Sequence, residues 1–326
     1  MRKDERLIQF CDLTLFGKSR AQGLAQINHP APKQLDFLIE QMSLMANEGV
    51  ARVKINSGTR ELVLQEVGDR DDYHILLINS IDGRVQNPVA RSFSGVGKDE
   101  RKSFIIGENN GLELSVHVLI AKKPDNHRHL CLVEKVDSVP AREISKFLNN
   151  MMKLVKDRIP EEFKLPHPNG ARNATYNVTP SCEFQYHPSP KFTEELNGGV
   201  IEDITLLTSP ENLRGFDAKK HQLLREVQVK ASIDRGVIGN LGSNIKYLTK
   251  FVGIGSDTDA AFVRVRFRDE SGAGHSAKLS TDTGNLIETD RYILKRKITD
   301  FGDYDDTSCE KIHAKIVDAM IQLAEG

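Results

Sequence analysis

The chain has 326 residues, 39% of them hydrophobic and 28% charged. That balance is ordinary for a globular protein and excludes a largely disordered chain, a collagen-like repeat and a disulfide scaffold. Formal net charge is −1, which on its face argues against a nucleic-acid protein. The mean hides a segregation, however. Arg214 to Lys297 carries 16 Lys/Arg against 10 Asp/Glu, and from Asp300 onward 2 basic residues face 7 acidic ones. Charge separated in this way builds a local positive field on a nearly neutral chain.

At about 150 residues per domain the length predicts two domains or one elaborate one. No stretch reaches the roughly 18 consecutive apolar residues that span a bilayer, and the charged start, Met1 to Arg6, does not read as a signal peptide. Cys11, Cys131, Cys182 and Cys309 lie far apart without a Cys-x-x-Cys pair. This predicts neither a disulfide framework nor a zinc site, and it fits a reducing, cytoplasmic setting.

Taken in chain order, Leu7–Phe16 reads as a strand. Pro30 and Pro32 then punctuate the entry to a helix whose apolar residues Leu35, Leu38, Ile39, Met42 and Met45 recur at helical spacing, with Gly49 as its stop. Strands follow at Val50–Ile55, Leu62–Val67 and Tyr73–Asn79, the first two joined through Asn56-Ser57-Gly58-Thr59. Asp82 to Ser103 is polar and irregular. It carries Arg84, Arg91, Lys98, Arg101 and Lys102, and its Gly95-Val96-Gly97-Lys98 lacks phosphate-loop spacing. A hairpin is predicted from Leu112–Ala121 and Leu130–Val136. Next comes an amphipathic helix after Pro140, with Ile144, Phe147, Leu148, Met151, Leu154 and Val155 on one face.

Residues 159–190 hold six of the chain's 12 prolines and read as a connection between an N-terminal domain, 1–158, and a C-terminal domain, 191–326. The second domain is expected to have strands at Val200–Leu207, Arg225–Ala231, Phe262–Arg268, His275–Ser280 and Tyr292–Ile298. A short helix near 244–252 and a terminal helix over 307–323 complete it. The acidic residues Asp300, Asp303, Asp305 and Asp306 are expected to stabilise the start of that last helix. The expected class is α+β, two mixed domains, each a mostly antiparallel sheet with helices.

The chemistry concentrates in Val263-Arg264-Val265-Arg266-Phe267-Arg268. Alternation in a strand puts the three apolar residues on a core face and the three arginines on the other, spaced about 7 Å apart, which suits successive phosphates. The turn Ser271-Gly272-Ala273-Gly274 then brings Lys278 alongside on the next strand. Lys230, Lys246, Lys250, Arg291, Lys295, Arg296 and Lys297 are placed to widen the surface. The plainer alternative is a solvated sheet face whose arginines pair with Asp269, Glu270 or Asp282. His127-x-His129-x-Cys131 lacks a third or fourth ligand for a metal and reads as a hairpin tip entering a strand. A magnesium-dependent nuclease is a further alternative, with Asp217, Gln228 and Lys230 as its site. No hydrolase, zinc-protease or dinucleotide fingerprint is present, so no catalytic residue, metal or cofactor is expected.

Several segments resemble the RexA protein family of phage-exclusion systems. Asn110-Gly111-Leu112 with its following strand, then Asp137-Ser138 leading to Ile144 and Phe147-Leu148, is similar to that family's strand-strand-helix unit. Val227-Gln228-Val229-Lys230-Ala231, Arg268-Asp269-Glu270-Ser271-Gly272, Gly284-Asn285-Leu286 and the last helix resemble its later part. The resemblance covers about two thirds of the chain from near Val50. It implies a cytoplasmic, dimeric or higher-oligomeric DNA binder without sequence preference that signals to a membrane-protein partner. Kiwa-type two-gene defence systems divide the work in the same way. A protein-interaction module without DNA binding is the remaining alternative.

Overall fold

The computed structural model describes residues 5–19, 29–55, 58–91, 101–107, 110–136, 138–166, 175–208, 227–232, 248, 252, 260–288, 290–299, 301 and 306–326. The chain opens with β1 (Glu5–Lys18) and β2 (His29–Pro30), then α1 (Leu35–Asn47). The strands β3 (Arg52–Ile55), β4 (Arg60–Arg70) and β5 (Tyr73–Asp82) follow, with a small hairpin of β6 (Val89–Arg91) and β7 (Arg101–Ser103). Then come β8 (Leu112–Ala121), β9 (Arg128–Glu134) and α2 (Ala141–Arg158). A second small pair, β10 (Lys164–Pro166) and β11 (Thr175–Asn177), precedes β12 (Thr179–Tyr186), α3 (Pro190–Gly198) and β13 (Val200–Thr208). The remaining elements are β14 (Val227–Ser232), β15 (Ala260–Arg268), β16 (Gly274–Ser280), β17 (Leu286–Glu288), β18 (Lys295–Thr299) and α4 (Ala314–Glu325).

The fold is α+β. One sheet runs in the order β14-β13-β15-β16-β17-β12-β1-β9-β8-β5-β4-β3, with β18 and β2 also paired to β1. All its ladders are antiparallel. Strict alternation sorts the strands' side chains. Cys11 and Leu13, Leu76 and Ile78, Val116 and Val118, and Cys131 and Val133 face a core closed by α1 and α2. From the same strands Ile8, Phe10, Ile75, Leu119 and Leu132 face the other way, onto Ile316, Val317 and Met320 of α4. The second face also buries a polar group. Glu134, 2% exposed, lies 2.9 Å from Arg6 Nε and 2.8 Å from His117 Nδ1.

The helices begin and end where local chemistry allows. Gly49, at φ +73°, lies just past α1 in the left-handed conformation that glycine adopts without penalty. Ser189 caps α3 by accepting from the Phe192 amide, and Pro190 occupies its first turn. The last helix starts at Ala314, not 307, because His313 caps it, Nδ1 accepting from the Ile316 amide at 3.3 Å. The acidic residues expected to do this lie several positions earlier, and Asp300, Asp303 and Asp305 fall outside the described residues.

The proline-rich segment expected to connect two domains supplies β12, and its Cys182, Phe184 and Tyr186 are buried in the main core. That strand pairs with β1 over eight residue pairs and with β17 at Tyr186–Leu286. Hydrogen bonding therefore runs unbroken across the segment. The expected helix near 244–252 lies outside the described residues apart from Leu248 and Val252.

Candidate nucleic-acid interface

Val263, Val265 and Phe267 are fully buried, which fixes the register of β15 and turns Arg264, Arg266 and Arg268 to the opposite face. Phe267 packs among Phe192, His275 and Tyr292, with ring centroids 5.4–6.2 Å apart. Gly199 lets the chain leave α3 this close to β15, since a Cβ there would stand 2.1 Å from the Arg268 carbonyl oxygen. The arginine strand is thus held from below by aromatic packing and from both sides by ladders.

Across the strands, Arg264 stands opposite Thr205 on β13 and Lys278 on β16. The Lys278 ammonium lies 4.1 Å from the centroid of the Phe262 ring. Among the described residues no acid pairs with Arg264. Arg266 and Arg268 are exposed but engaged: Arg266 Nε lies 3.3 Å from Asp203 and Arg268 Nε 2.6 Å from Glu202. Glu202 holds the Arg268 pKa above its ordinary value. These partners come from β13, not from Asp269, Glu270 or Asp282 as the sequence suggested. The signal for Glu202 and Asp203 was present, as two adjacent acids inside a strand-like sequence, but their register against β15 was not readable.

The other expected cations are placed differently. Lys230 occupies the β14 position opposite Thr205, one strand beyond Arg264 and in line with it. Its side chain, like that of Gln228, lies outside the described residues, as do Asp217, Lys246 and Lys250 entirely. Arg296 and Lys297 are on β18, which pairs with β1. The strands β17, β12 and β1 separate them from β16, and Lys297 is bound to Glu5. The structure therefore brings together Arg264, Arg266, Arg268 and Lys278, and does not bring Arg296 and Lys297 to them.

Two polar groups were not anticipated. Glu195, Asp269 and His275 offer ligand atoms within 4.8 Å of one another. Arg291 occupies that neighbourhood, 2.6 Å from Glu195 Oε1 and 3.4 Å from His275 Nδ1. Tyr292 donates to Glu195 Oε2 at 2.8 Å, and Asp269 accepts from Ser271, Ala273 and His275. The carboxylates are already neutralised by a guanidinium and turn amides, so the cluster clamps α3 to the sheet. It is a poor receptor for a second cation. The second group lines a polar cavity of about 490 Å³. Asp12 lies there 3.0 Å from His187 Nε2 and accepts from Asn285 Nδ2 at 2.8 Å, with Arg128 and Lys123 at the rim.

No protein-family model matches the chain, and no curated protein matches it. Among the described residues no helix is long and apolar enough to cross a membrane.

Proposed function

We propose that the protein binds the sugar–phosphate backbone of DNA on the outer face of β13, β15 and β16, without reading base sequence. Arg264, Arg266, Arg268 and Lys278 hold phosphates, and Lys230 extends the row. The observation that carries this reading is the placement of three arginines on one face of a strand whose other face is fully buried. Side chains at alternate positions are about 7 Å apart, the scale of successive phosphates, and guanidinium binds their oxygens in pairs. Contacts of this type position a protein without carrying sequence information. With the resemblance to the phage-exclusion family, the reading becomes a non-enzymatic DNA sensor in phage defence, acting as a homo-oligomer in the cytoplasm and signalling to a membrane-protein partner.

The test is fluorescence anisotropy with a labelled random-sequence duplex over a salt series. Wild type should bind with a steep salt dependence. Changing Arg264, Arg266 and Arg268 together to alanine should lower the slope of log K against log salt by about 2 to 3, as the corresponding counterions are no longer released. Because Glu202 competes with phosphate for Arg268, Glu202→Gln should tighten binding. Absence of binding at low salt, or a triple variant that binds like wild type, sinks the proposal.

A further inference from the structure

Two phenylalanines interrupt the polar character of the sheet's outer face. On β15, Val263 lies in the core, so Phe262 shares the outer face with Arg264. On β1, Leu15 packs on the core opposite Cys182, and Phe16, opposite Ser181, takes the outer face. Both rings are partly exposed. Each carries a lysine. The Lys278 ammonium lies 4.1 Å from the centroid of Phe262, and that of Lys18 lies 5.0 Å from the centroid of Phe16.

The two pairs belong to one surface. β1 is the fourth strand on from β15 in a continuous sheet, about 19 Å across at ordinary strand spacing. On β12, between them, burial raises the pKa of the Glu183 carboxyl, while Lys18 and Lys278 both lower it. The two ammonium groups therefore act on one neighbourhood, and burial disfavours the charge of the acid that separates them.

Phosphate binding alone needs no aromatic ring. A duplex keeps its base faces stacked on one another and shows only base edges in its grooves, so it offers nothing to lay on an exposed phenylalanine. A single strand presents base faces and phosphates together. Stacking of a base on an aromatic ring is stronger than an exposed cation–π contact. A base can therefore take the ring from the lysine, whose flexible stem carries the ammonium to a phosphate of the same strand. Each lysine–phenylalanine pair thus holds the two groups that one nucleotide engages.

We propose that the outer face binds single-stranded DNA in preference to duplex, with bases stacked on Phe262 and Phe16 and the adjoining phosphates held by Lys278, Lys18 and Arg264. This rests on the phosphate-binding reading above and adds the form of the nucleic acid. Stacking is tolerant of base identity, so binding stays indifferent to sequence.

The experiment measures anisotropy of the full chain with three labelled ligands of one length at one salt concentration: oligothymidylate, the abasic strand and a random duplex. Oligothymidylate should bind about tenfold or more tighter than the duplex, and about fivefold or more tighter than the abasic strand. Phe262→Leu and Phe16→Leu should each weaken oligothymidylate about fivefold and bring its affinity toward that of the abasic strand. The chain has no tryptophan, so Phe262→Trp supplies a lone reporter. Its fluorescence should be quenched by oligothymidylate and not by the abasic strand. A duplex bound as tightly as the single strand, or an abasic strand bound as tightly as oligothymidylate, overturns the proposal and leaves the phosphate-binding reading standing. Oligothymidylate binding that neither leucine variant weakens, without quenching of the tryptophan, does the same. No binding of any of the three at low salt removes the phosphate-binding reading itself, and this proposal with it.

Discussion

His313 and His129 are both buried enough to have their pKa values lowered, desolvation being the largest cause in each. His313 also has a hydrogen bond that needs the neutral ring, its Nδ1 accepting from the Ile316 amide. The unfolded chain, with histidine near 6.5, takes up these protons more readily than the folded one. Stability from these two residues is therefore present above about pH 6.5 and is lost as pH falls through their lower folded values. Urea midpoints should accordingly drop between pH 7.5 and 5.5.

At the scale of elements, β15 is the strand on which the site depends, and its hold is the aromatic packing beneath it. Phe267→Ala should cost about 3–5 kcal/mol by chemical denaturation, since Phe192 and Tyr292 are fixed by their own contacts and cannot fill the cavity. That strand was legible in the sequence because apolar and basic residues alternate from Val263 to Arg268, a pattern only period 2 satisfies. The first helix was legible for the matching reason, five buried residues at helical spacing ended by a glycine. By contrast β12 and α3 were concealed by their prolines. Pro180 sits near the start of β12, opposite Gly17, and Pro190 is in the first turn of α3. Both are positions where a missing N–H is tolerated, so a proline-rich run read as a connection hides a strand and a helix. The ion pairs of Arg266 and Arg268 were illegible for another reason: they depend on which strand lies beside β15, and periodicity does not encode neighbours.

Across the whole molecule, a single core cluster joins residues from Cys11 to Ile293, and the sheet is continuous from β14 to β3. Parts that share a core and a ladder lose their support together, so heating should give one cooperative transition, with near-UV circular dichroism and calorimetry coinciding. Two separated transitions would mean that the portions before and after residues 159–190 keep independent stability.

The long first strand has a bearing on how the chain comes into being. During synthesis β1 emerges ahead of every other described strand, yet it pairs with β9, β12 and β18, the last separated from it by most of the polypeptide. Its Ile8, Phe10, Cys11 and Leu13, all buried in the finished sheet, must wait on the ribosome with no partner strand to cover them. Assembly then requires closing very long loops, which slows folding and leaves an apolar edge open to other chains. Newly made protein should therefore lean on holdase chaperones until translation has delivered β18. A ribosome stalled before that point would release a product destined for proteolysis rather than a half-working binder.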